Sequence, residues 1–167
     1  MLKYLLHYPQ PIIEQAQHLI TEDRLGAWLL NKYPEQHDVR NNKALYDYTM
    51  ALKNQYLRKS APLNKVLFDG KISQMHQALG LNISRTMVHG GKLKARKEIR
   101  IGALFQHAPE AFLKMIVVHE LAHLKEADHN KSFYQLCCHM EPNYHHLELD
   151  TRLYMTQLEV FGDIYSR

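Results

Sequence analysis

At 167 residues, 46% apolar and 23% charged, the chain has the size and composition of one soluble globular domain able to build a core without disulfide staples. No stretch approaches the roughly 18 apolar residues of a membrane span, and a net charge of +4 tolerates an acidic partner without requiring one. The opening MLKYLLHYPQP has too short an apolar run for a signal peptide, and the adjacent Cys137 and Cys138 are poorly placed to bridge each other, so a reducing, cytoplasmic setting is expected.

In chain order, Ile12, Ile13, Leu19, Ile20, Trp28 and Leu29 recur at helical spacings, and Gly26 favours two short helices over one long one. Pro34 ends that segment. A further helix is predicted in NKALYDYTMALKNQYLRKS, with Leu45, Tyr48, Leu52 and Tyr56 on one face and Pro62 closing it. NKVLFDGKI reads as a strand and turn. The β-branched residues, Gly90-Gly91 and the alternation Glu98-Ile99-Arg100-Ile101 then predict a hairpin or meander. Pro109 starts the next helix at a favoured position, and LELDTRLYMTQLEVF after Pro142 predicts another.

The helix after Pro109 carries His119-Glu120-Leu121-Ala122-His123. Histidines at i and i+4 stand one above the other on a helix, so two imidazole nitrogens reach one ion. Zinc commonly takes a third protein ligand and a water, and the intervening Glu120 is placed to act as general base. With 12 histidines and 10 glutamates, the bare pattern arises by chance roughly once in twenty shuffles. Context strengthens it. At about 100° per residue, both histidines and Glu120 fall in the arc of Phe112, Leu113, Ile116 and Leu124, away from Lys114 and Lys125. Core histidines satisfied by carbonyls and by Glu120 are the bland alternative.

His129 lies six residues beyond His123, and a continuous helix would carry it away from any shared ion. It reaches the site only if the chain turns after Leu124, for which Ala127-Asp128-His129-Asn130 is suited. The segment VVHELAHLKEADHNKSFY, with its histidines, Phe133 and Tyr134, resembles the YgjP-like family of metal-dependent hydrolases, wider kin of the SprT-like and WLM-type zincin proteases. The likeness extends to NKVLFDGKI, GGKLKARKEIR and CCHMEPNYHHLELDTRL. Metzincins, by contrast, have glycine where this chain has Glu126. The resemblance implies an α+β fold: a zincin-like core of small sheet and active-site helix over residues 61–167, with an N-terminal helical extension over 1–60 packed on it. It also implies a zinc site, or one for another divalent transition metal, formed by His119, His123 and His129, with Glu120 catalytic. Glu141 and Glu148 stand as rival third ligands.

These residues name a reaction type rather than a substrate. The zincin likeness puts peptide hydrolysis first, with substrate laid along a sheet edge. Family members called UTP pyrophosphatases make nucleotide hydrolysis, to UMP and diphosphate, the alternative. Lys92, Lys94 and Arg96 would share one face of a strand and could bind phosphate or nucleic-acid backbone; equally, they could protect a sheet edge. A non-catalytic, metal-stabilised nucleic-acid-binding module is a further alternative, though no nucleic-acid motif accompanies it. Tyr134 is a candidate substrate-binding residue, and Tyr134, Tyr144 and His145 are candidates to stabilise a developing oxyanion. His139, His145 and His146 could form a second metal site, but surface or capping roles are the simpler reading. Cys137 and Cys138 are expected on a helix packing behind the site.

Overall fold

The computed structural model describes residues 2–71, 83–89 and 92–165, the side chains of 83–96 excepted. After a short 3-10 turn, Lys3–Leu5, come three helices: α1 (Gln10–Thr21), α2 (Leu25–Lys32) and α3 (Asn42–Tyr56). Pro9 opens α1, and the side chain of Asn41 caps α3 by accepting from the Ala44 N–H at 2.8 Å. The expected break between α1 and α2 is present, but not at Gly26. The chain turns at Asp23, which takes the left-handed conformation (φ 54°). Gly26 sits inside α2, where an added Cβ would lie 3.2 Å from the Gln157 side-chain nitrogen. The glycine thus lies at a close helix contact and not at a turn.

Three strands follow: β1 (Leu63–Asp69), β2 (Ile83–His89) and β3 (Lys92–Gly102), in the order β1-β3-β2. β2 and β3 form the expected antiparallel hairpin, and β1 runs parallel to β3. The alternation at residues 98–101 sorts by face: Ile99 and Ile101 are fully buried, whereas Arg100 bridges Glu98 and Asp69 at 2.7 Å each. That pairing ties β1 to β3 and holds the Asp69 carboxyl below its ordinary range, chiefly through the Arg100 hydrogen bond.

Three more helices complete the described chain: α4 (Glu110–Ala122), α5 (Lys131–Met140) and α6 (Tyr144–Val160). The arc drawn from the sequence makes α4 one-sided, but Phe112, Leu113, Met115, Ile116, Val117, Val118, Leu121 and Ala122 are all fully buried. α4 is therefore a central helix, in contact with α3, β3, α5 and α6. Lys114, half-buried, is kept there by Glu141 at 3.2 Å. Phe112 stacks on Tyr154 of α6 at 5.2 Å and meets Tyr33 at 4.7 Å, joining α4 to the N-terminal helices through one apolar core. The fold is α+β, and no described helix is long and apolar enough to cross a membrane.

Candidate active site

α4 ends inside the motif. His119 and Glu120 occupy its last turn, and His123 is the C-cap residue. The Leu124 N–H then bonds to the Leu121 carbonyl at 3.0 Å and the Lys125 N–H to that of Ala122 at 3.1 Å, tightening the turn and ending the helical path. Asn130 caps α5 by accepting from the Phe133 N–H at 2.9 Å. His129, one residue before that cap, is thereby carried back to the end of α4. Its Nε2 lies 3.0 Å from His123 Nε2 and 3.3 Å from His119 Nε2. Ligands at about 2.0–2.1 Å from a tetrahedral ion stand about 3.3 Å apart. The three imidazoles thus have the spacing of a ligand set, and they are the group of three such side chains that could hold a metal ion among the described residues.

The outward nitrogens of His119 and His123 are held. His123 Nδ1 donates to the Glu126 carbonyl at 2.9 Å. His119 Nδ1 lies 2.7 Å from the Tyr144 hydroxyl, which donates to Glu148 Oε1 at 2.8 Å. With its hydrogen committed to Glu148, that hydroxyl accepts from the His119 Nδ1–H, leaving the Nε2 lone pair toward the cluster. Such outer partners orient metal-ligating histidines. Buried Phe133 packs on all three rings, its centroid 5.0, 4.5 and 4.9 Å from those of His119, His123 and His129. Burial, aided by the other two histidines, holds the His119 imidazole well below its ordinary range, which favours the neutral, ligating form.

Glu120 is 1% exposed, and neither carboxylate oxygen has a hydrogen-bond partner. Burial alone pushes its carboxyl well above the usual range. An unpartnered buried carboxyl is costly, and it excludes the bland alternative in which Glu120 satisfies the histidines. Three converging ring nitrogens, beside a carboxyl lacking any partner, fit a divalent cation and an adjoining water. His119 and His123 are buried while His129 is exposed, so the cluster opens to solvent on the His129 side.

The other candidate residues divide clearly. Tyr134, half-buried, has its ring 6.4 Å from His129 and 5.3 Å from His145. Tyr144 stands behind His119 with its hydroxyl already engaged, and Glu148 lies beyond it; neither Glu148 nor Glu141 joins the cluster. His139 meets Tyr56, His145 meets Tyr134 and His146 meets Asp150, so these three histidines have separate surroundings. Cys137 is buried on α5, its thiol pushed up to about 12 by burial. On the β3 backbone, Lys92, Lys94 and Arg96 pair with His89, Met87 and Arg85 of β2. Their side chains lie outside the described residues. Sequence reading missed the buttress Tyr144–Glu148; the i,i+4 spacing on α6 signals the pair but not its attachment to His119.

Comparison with known proteins accords with this geometry. The family model described as YgjP-like, metallopeptidase domain, matches residues 12–152. The curated UTP pyrophosphatase of Escherichia coli (strain K12) is 57% identical over 159 residues, covering 95% of each chain. No solved structure matches significantly. The chain belongs to the YgjP-like family and is a hydrolase.

Proposed function

We propose that the chain is a zinc-dependent pyrophosphatase that cleaves UTP between its α- and β-phosphates, releasing UMP and diphosphate. The observation that carries the substrate is the 57% identity, over nearly the whole of both chains, to a protein named UTP pyrophosphatase. This supports the nucleotide reading over the peptide hydrolysis that the His-Glu-x-x-His helix puts first. Membership of a hydrolase family also removes the reading as a non-catalytic nucleic-acid module.

In this reading, His119, His123 and His129 would hold a divalent ion. A divalent ion held there would supply Lewis acidity to the phosphoryl transfer. Glu120 would accept a proton from the attacking water as its oxygen bonds to the α-phosphorus and the bond from that phosphorus to the α,β-bridging oxygen breaks, diphosphate leaving with that oxygen. A carboxyl left without hydrogen bonds in an apolar pocket has the raised proton affinity this task needs. Tyr144 and Glu148 fix the His119 ring, and Phe133 holds the three imidazoles together. Peptide hydrolysis keeps one specific support, the description of the family as a metallopeptidase domain.

Offering the enzyme UTP and unstructured peptides side by side separates the two. UMP and diphosphate should form in equal amounts, cease with a chelator and resume when zinc is returned. Release of UDP and orthophosphate, or peptide cleavage with UTP untouched, would overturn the proposal.

A further inference from the structure

Beside the histidine cluster, a cavity of about 280 Å³ is lined by His7, Tyr8, Tyr134, His145, Glu148 and Arg152. His145, Glu148 and Arg152 come from one face of α6, at i, i+3 and i+7. Tyr134 comes from α5, while His7 and Tyr8 follow the N-terminal 3-10 turn. The volume falls just below the roughly 300 Å³ at which pockets for whole ligands begin, so it suits part of a larger molecule.

The lining has two characters. Tyr134 and His145 form an aromatic wall, their centroids 5.3 Å apart and their planes inclined by 35°. Opposite in chemistry is the ion pair of Arg152 and Glu148, Nε to Oε2 at 3.4 Å. Arg152 also donates to the Tyr4 carbonyl at 3.1 Å, and the Tyr8 hydroxyl donates to Glu148 Oε2 at 3.5 Å. Because Glu148 offsets Arg152, the cavity's ion pair leaves no surplus positive charge of the kind a phosphate chain seeks. It offers instead a flat apolar surface beside one strong acceptor and one strong donor. That combination matches a nucleobase, whose ring stacks on aromatics and whose edge carries N–H and C=O groups.

Its position fits as well. Tyr134 is shared between cavity and cluster, its ring 6.4 Å from that of His129. Glu148 is joined to His119 through the Tyr144 hydroxyl, by contacts of 2.8 and 2.7 Å. A ligand spanning both places would put its phosphates by the histidines and its base one side chain away.

We propose that this cavity is the nucleoside subsite: the base of the substrate lies against Tyr134 and His145, with its polar edge toward Glu148 and Arg152. This assignment rests on the nucleotide reading above and adds to it a binding site for the other half of the molecule.

The test uses His145→Ala and Tyr8→Ala, which touch none of the three clustered histidines. Inhibition of UTP turnover by UMP, which has the nucleoside, is compared with inhibition by diphosphate, which lacks it. In His145→Ala, which removes a stacking ring, KM for UTP and the inhibition constant of UMP should rise about tenfold, and in Tyr8→Ala, which removes the hydroxyl that holds Glu148, they should rise as well, while kcat, bound metal and the inhibition constant of diphosphate stay at wild-type values. Unchanged UMP inhibition in both variants overturns the subsite and leaves the functional reading intact. An equal rise for UMP and diphosphate overturns it too, since the loss would then not be specific to the nucleoside. A wild-type enzyme unable to cleave UTP overturns both.

Discussion

Two carboxylates of this molecule are almost equally hidden and have opposite surroundings. The Asp150 side chain, on α6, is 2% exposed and fully engaged. It accepts from the Tyr33 hydroxyl, pairs with Lys32 at 2.7 Å and lies 3.3 Å from His146. Lys32 in turn stands over the Trp28 ring at 5.1 Å, so the cluster ties α2 to α6. Glu120, on α4, has no hydrogen-bond partner on either oxygen. A buried charge is tolerated when paired and costly when not. The Asp150 cluster is complete and therefore structural. The Glu120 centre is complete only with something added to it. The lesson is that burial alone does not identify a functional carboxylate; burial without partners, beside a ligand set, does.

That contrast can be broken by exchanging the damage. Glu120→Gln should lower hydrolysis by about 10²–10⁴-fold while metal content and the thermal midpoint hold. Asp150→Ala should do the reverse. It leaves the Tyr33 hydroxyl without its acceptor and Lys32 without its carboxylate partner, and should cost about 1–3 kcal/mol of stability in denaturant titrations, with kcat unchanged at temperatures where the variant is folded. Full activity in the Glu120 variant, or loss of activity without loss of stability in the Asp150 variant, would collapse the distinction. A smaller effect sharpens it. Tyr144→Phe removes the group that accepts from His119 and donates to Glu148, and should weaken zinc binding about 10–100-fold in competition with a chelating dye. Unaltered affinity would mean that Tyr144 merely packs.

What could be read ahead from the sequence followed from locality. The i and i+4 histidines, the glutamate between them and the strand alternation from Glu98 to Ile101 all follow from periods along a single element. His129 was legible as a candidate because Asp128 and Asn130 favour a turn, although only the capped start of α5 shows how the turn returns it. The failures were non-local. Gly26 looked like a break because glycine weakens helices, yet its reason is Gln157, which a linear reading does not bring near. The one-sided picture of α4 failed because a helix covered on every side has no polar face for periodicity to find. Glu148 read as a rival ligand because a carboxylate near a histidine motif can serve either as ligand or as buttress. Only the intervening Tyr144 hydroxyl decides which.

The measurement that bears most directly on the account is elemental analysis of untagged protein, purified without chelator, for the wild type and His129→Ala. About one zinc per chain is expected in the wild type, and a substoichiometric amount in the variant after identical dialysis. Absence of metal from wild-type protein, even after zinc is supplied, would mean that the three histidines satisfy one another and that Glu120 is buried for some other reason.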